Sequence, residues 1–191
     1  MHPATIAAAV GGLGAIGLAL LWPRSARADQ PLEPWRQRLI DCARGHARAG
    51  TLYQWGGGHG WLGEAEYGLD CSGLVLQCAK SAGVKVWLTS NGMYEQLPAV
   101  QTPRPGDLAL YGKPERAWHV RIVEAWHPDE GRAETIGAEG GGPKVTSPES
   151  AVAKSAHVRR VPDHRASHFL GFRTLAGRES ELEPVVWYGS G

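Results

Sequence analysis

Cys71 stands directly after Asp70, at the start of an apolar stretch running to about Ala82. A cysteine nucleophile reacts as the thiolate, and the free N–H groups and dipole at a helix N-terminus favour that form. Asp70 occupies the N-cap position of the same helix. Gly68 and Gly73 flank the cysteine, and their missing Cβ atoms leave room for a substrate backbone to come close. A thiolate of this kind works with a base. His119 opens an apolar strand after the polar stretch Gly112 to Ala117. Nucleophile and base of such enzymes are far apart in the chain and adjacent in the fold. The chemistry would be acyl transfer through a thioester. Taken alone, a cysteine at a helix start is only suggestive and reads more readily as a small core residue. His164 and His168 have the spacing of a helical metal pair but no third ligand near them, so no metal and no cofactor are expected.

Both residues need elements to hold them. Trp35, Leu39, Cys42, Ala43 and His46 recur at helical spacing, with Gly50 as the stop. The glycine-rich loop Gln54-Trp55-Gly56-Gly57-Gly58 follows. The second helix carries Leu74, Val75 and Cys78 on one face and ends at Gly83. Beyond Asn91-Gly92 the pattern turns to strands. Pro105-Gly106-Asp107 is a turn leading into Leu108 to Tyr111. His119 to Trp126, Thr135 to Ala138, Val158 to Val161 and Phe169 to Leu175 complete the set. Helices first and a strand meander second predict an α+β domain.

The ends differ from this body. Ala4 to Leu21 is uncharged and apolar, long enough for a short spanning helix, and Ala26-Arg27-Ala28 has the small-x-small form of a signal-peptidase site. Residues 1–28 are therefore expected to be a signal peptide or membrane anchor, residues 29–176 one domain, and residues 177–191 a tail. Net charge is +1, so composition points to no nucleic-acid partner. Three cysteines are too few for a disulfide scaffold. Cys42 and Cys78 read as small buried hydrophobes, with a bond between them as the alternative.

Four ordered strings carry a resemblance. They are Tyr53-x-Trp55-Gly56-Gly57, Gly68-Leu69-Asp70-Cys71-Ser72-Gly73-Leu74-Val75, Pro105-Gly106-Asp107-Leu108 and His119-Val120-x-Ile122-Val123, closed by Gly171-Phe172-Arg173. Over residues 32–175 the chain resembles the NlpC-type cell-wall cysteine peptidases. The resemblance implies a papain-like fold, with N-terminal helices packed on a five- to six-stranded antiparallel sheet and an apolar helix before them. It implies Cys71 as nucleophile and His119 as base. The substrate class it implies is the peptide stem of peptidoglycan, often cut between D-glutamate and a diamino acid. By the same carry-over Tyr53 lies beside the cysteine, Asp70 faces the substrate amine and Ser72 lines that subsite. Trp55 and Trp118 are candidate walls of a substrate groove. An exported or membrane-anchored enzyme of the cell envelope follows.

The chain departs from the family where a polar residue, often His followed by Ala, orients the catalytic imidazole. The matching pair here is Gly137-Ala138, and Gly137 has no side chain to offer. Glu139, Glu134, a backbone carbonyl or water is left to take its place, and Gly137→His is expected to leave activity equal or higher. Alternatives to the peptidase are an impaired wall-binding protein, an amidase or transacylase on the same scaffold, or a phage-type lysis enzyme. Gly140-Gly141-Gly142-Pro143 reads as a mobile substrate-facing segment or as a turn.

Overall fold

The computed structural model describes residues 31–179. The apolar run at residues 4–21 and the end of the tail lie outside them. Among the described residues no helix is long and apolar enough to cross a membrane.

Helix α1, Pro34–Ala49, starts with proline in its first turn and stops at Gly50, whose φ of 62° is left-handed. Helix α2, Cys71–Ala82, is capped by Asp70 and ends at Gly83, φ 78°. The Asp70 cap and both glycine stops follow the sequence pattern. Two short helices add to the expected set: α3, Ser90–Gln96, and α4, Pro148–Ala153, which carries a Ser147/Ser150 capping box.

The sheet has six strands: β1 Ala99–Val100, β2 Leu108–Lys113, β3 Arg116–His127, β4 Arg132–Glu139, β5 His157–Val161 and β6 Phe169–Arg173. Their order is β1-β6-β2-β3-β4-β5 and every pair is antiparallel. This is the α+β architecture that the resemblance implied.

Strand alternation sorts the side chains. Leu108, Leu110, Val120, Ile122, Ile136 and Val158 meet Leu39, Leu74 and Val75 of the helices in the main core. Each fully buried aliphatic side chain of this kind contributes about 1.5–3 kcal/mol. Ala109, Tyr111, Val123, Ala133 and Phe172 form a smaller cluster on the other side. The Pro105-Gly106-Asp107 turn is clasped from α1: Arg36 donates to Asp107 Oδ1 at 2.7 Å and to the Pro105 carbonyl at 3.0 Å, with both charged side chains buried.

One expectation is corrected here. Cys42 and Cys78 are not separate small hydrophobes but a disulfide, which joins α1 to α2 with their Cα atoms 5.4 Å apart. Helical spacing brought both to facing surfaces, and only the packing of the two helices decides that they meet. Among the described residues they form, with His46, one close trio of metal-ligand types, but the two sulfurs are spent on each other. His164 and His168 are not on a helix. The His164 ring accepts from the Ala133 N–H at 3.0 Å and packs on Phe169, and His168 sits edge-on to Trp118.

Candidate active site

The first turn of α2 meets the start of β3. Cys71 is free, 8% exposed, and its thiol donates to the Trp118 carbonyl at 3.9 Å. The next residue along β3 is His119, whose ring feels the charge of Cys71. Its Nε2 lies 2.8 Å from Glu139 Oε1. With Nε2 spent on that carboxylate, Nδ1 is the nitrogen left for the sulfur.

Charge around the ring is arranged in its favour. Burial alone would lower the His119 pKa, but the hydrogen bond and charge of Cys71, then those of Glu139, raise it to about 9. Burial likewise opposes the Glu139 charge. Hydrogen bonds from His119 and Arg121 and their positive charges outweigh it and hold the carboxyl at about 2. Arg121 grips Glu139 with two bonds, Nε to Oε1 at 2.8 Å and Nη2 to Oε2 at 2.9 Å. Arg121 in turn donates to the Tyr111 hydroxyl at 3.2 Å and lies over its ring. His119, Glu139, Arg121 and Tyr111 thus form one continuous chain of contacts beside Cys71.

Gly137 does not orient the imidazole. It sits two residues before Glu139, on the same face of β4, opposite Arg121. A Cβ built there would come within 2.4 Å of Glu139 Oε1 and 2.8 Å of Arg121 Cγ. The bare position is the space in which the Arg121–Glu139 pair lies. Of the two candidates, Glu139 is the one in contact with His119. Arg121 was not singled out from the sequence. The signal available was its period-two spacing from His119 on one strand.

Asp70 and Ser72 flank the sulfur, but their polar atoms are largely spent inside the protein. Asp70 Oδ1 accepts from the Gly73 N–H at 2.7 Å and the Ser72 hydroxyl at 3.0 Å, and Oδ2 from the Gly56 N–H at 3.0 Å. His59 Nε2 lies 3.1 Å from Asp70 Oδ1 and 3.2 Å from Ser72 Oγ. Burial opposes the Asp70 charge, yet the His59 bond and the Gly73 N–H lower its pKa. Asp70 therefore caps α2 and anchors the glycine-rich loop, and little capacity remains for an amine. His59, buried and central to this arrangement, is a second residue that the sequence reading missed; a histidine inside a glycine-rich loop was its signal.

The flanking glycines are also used internally. A Cβ on Gly73 would lie 1.9 Å from the Gly57 carbonyl oxygen, and one on Gly68 would lie 2.3 Å from that of Leu52. Their bareness lets the loop and the 52–53 segment press against α2. It is not reserved for substrate.

Tyr53 is buried in the same core cluster as Cys71. Burial first, then the negative charges of Cys71 and Asp70, raise its hydroxyl pKa far above the usual range. Gly141 rests on the Tyr53 ring, where a Cβ would come within 2.2 Å of it, so the Gly140–Pro143 loop is seated as a turn. Trp55 and Trp118 are both about half exposed and flank this region of the surface.

Comparison with known proteins bears on the family and the fold. The NlpC/P60 family model matches residues 50–159. The peptidoglycan endopeptidase RipA of Mycobacterium tuberculosis is 36% identical over 89 residues, covering 41% of this chain and 18% of that protein. RipA of Mycolicibacterium smegmatis is 34% identical over the same length and shares. The chain thus spans under a fifth of these relatives. Among solved structures, RipD of Mycobacterium tuberculosis, a non-catalytic NlpC/p60 domain protein adapted to peptidoglycan binding, has a TM-score of 0.51 at 22% identity. That likeness covers 74% of this chain and 96% of RipD. A lipoprotein-like NLP/P60 protein of Staphylococcus aureus has a TM-score of 0.52 at 18% identity, over 76% of this chain and 43% of that one. These two likenesses speak to the fold.

Proposed function

Because this chain belongs to the NlpC/P60 family, we propose that it is a cysteine endopeptidase that hydrolyses amide bonds in peptidoglycan stem peptides. Cys71 is its nucleophile, His119 its base and Glu139 the residue that positions His119. The observation that carries this reading is a free cysteine at the start of α2 beside an imidazole bonded to a carboxylate that Arg121 clamps.

In this mechanism the Cys71 thiolate adds to a peptide carbonyl while His119 holds the proton. Backbone N–H groups at the start of α2 face the oxyanion. His119 then protonates the leaving amine, and the C–N bond breaks to give a thioester. Water, deprotonated by His119, attacks the thioester carbonyl; the acid leaves and the thiolate returns. Glu139 keeps the ring in the tautomer that offers Nδ1 to sulfur and stabilises the imidazolium, as the buried acid does in other triads. The D-glutamyl–diamino acid bond is the one favoured by the family resemblance. The N-terminal apolar run fits export or anchoring to the envelope, where this substrate lies.

The competing reading, a wall-binding protein without turnover, drew its support from the bare position at Gly137. The Glu139 carboxylate on His119 favours the peptidase reading over it. Mass spectrometry of peptidoglycan digests decides the matter. Native protein is expected to release cleaved stem peptides, and Cys71→Ala is expected to release none while its circular dichroism and Tm stay native. Equal activity in the two proteins would refute the assignment.

A further inference from the structure

A groove of about 730 Å³ runs along the outer side of α2, away from the sulfur. Its inner end is His59, whose ring bonds to Asp70 and Ser72 on either side of Cys71. His59 also stacks on Trp61, at 4.1 Å between ring centroids, and Trp61 is 61% exposed. The floor is aliphatic, with Leu76, Val84 and Leu88. The rim carries Lys80, Lys85 and Arg178, together with Trp87, which is 66% exposed.

Among the described residues none of these three cations has an ion pair or a side-chain hydrogen bond, and no Asp or Glu lines the groove. Elsewhere on the surface some arginines are paired, Arg132 with Glu130, Arg160 with Glu124 and Arg165 with Asp163, while Arg48, Arg116 and Arg159 stand singly among the described residues rather than around one concavity. Three unpaired positive charges around one concave apolar surface attract an anion and repel a cation.

Distance ties the groove to the reaction. Lys80 is nine residues along α2 from Cys71, a rise of about 13–14 Å that ends half a turn round the helix, and crossing a helix about 10 Å wide lengthens the span to about 17 Å. An extended peptide covers that in about five residues. Resting on the endopeptidase reading above, we infer that the groove is a second recognition site for the peptide substrate. It holds acidic residues lying about five positions from the bond that Cys71 attacks, with carboxylates against Lys80, Lys85 and Arg178 and the chain packed on Trp87 and Leu88.

The test uses two synthetic peptides of one length and sequence, distal acids in one and the matching amides in the other. Calorimetric titration of full-length Cys71→Ala measures binding apart from turnover. The acidic peptide is expected to bind about tenfold more tightly at low salt, the sum of three weak exposed charge pairs. The preference should shrink as ionic strength rises. The double variant Lys80→Gln/Lys85→Gln should lose most of it, and on the native enzyme should raise KM for the acidic peptide with kcat unchanged. Equal affinities for the two peptides, or a preference that survives the double variant, overturn the inference. A preference that holds while native protein cleaves neither peptide refutes the endopeptidase reading and leaves the groove standing. The chain beyond the described residues carries Glu181 and Glu183. If the preference appears only in Glu181→Gln/Glu183→Gln, the groove serves this chain's own acids and the inference fails.

Discussion

Replacing Gly137 with alanine should uncouple activity from stability. Gly137 has no left-handed φ, so its β4 backbone accepts any residue and only space is at issue. The added Cβ would stand 2.4 Å from Glu139 Oε1, against an ordinary contact of 3.4 Å or more. The carboxylate must therefore move by about 1 Å. It is the far end of a flexible side chain, so the fold yields cheaply, and we expect a loss of about 1–2 kcal/mol, in the range for one surplus methyl in a packed site. The same oxygen, however, is the one 2.8 Å from His119 Nε2 and 2.8 Å from Arg121 Nε. A misplacement of that size at a positioning group costs on the order of 10²-fold in rate. Turnover of purified stem peptides and denaturant unfolding measure the two effects side by side. A variant with native kcat refutes the reasoning. So does one that loses rate only in proportion to the fraction unfolded. The expectation from sequence, that Gly137→His leaves activity equal or higher, is reversed by the same geometry. A larger side chain there displaces the Arg121–Glu139 pair outright.

Glu139→Gln keeps the shape and removes the charge. It should lower kcat by several orders of magnitude at most, toward the level seen when a triad loses its orienting acid, and should move the alkaline limb of the pH–rate profile downward, since Glu139 helps raise His119. Reducing the Cys42–Cys78 bond, or replacing both cysteines with alanine, opens a 36-residue separation and should cost about 2–4 kcal/mol in denaturant titrations. Folded protein should still turn over, because Cys71 lies outside the bond. Stability should also follow pH at both ends. The Glu139 pKa is lowered to about 2, so its contribution is present above about pH 4.5 and fades as pH falls toward 2. The His119 pKa is raised to about 9, so its contribution is full below pH 6.5 and is lost as pH rises through 9. Unfolding free energies of native protein and Glu139→Gln across this span should converge at the acid end; a constant difference would contradict the assignment.

Much of this molecule was legible in the order of its residues. Asp70 and Gly83 bound α2 because capping and left-handed stops are local events, decided by a residue and its near neighbours. The turn before Leu108–Tyr111 and the Val and Ile of His119–Trp126 marked strands because turn residues and β-branched side chains act locally, whatever the strand packs against. Cys71 and His119 stood out by type and by the elements they open. Packing decided the rest. Cys42 and Cys78 bond because two helices cross at one point, a distance that no spacing along the chain encodes. Asp70 and Ser72 turned inward because His59 and the Gly56 N–H arrive from a loop folded over α2. Gly137 looked like a missing side chain. In three dimensions it is the room that Glu139 and Arg121 need to reach His119. A sequence records which groups are present, whereas the register of neighbouring strands and the volume left between them determine which groups meet.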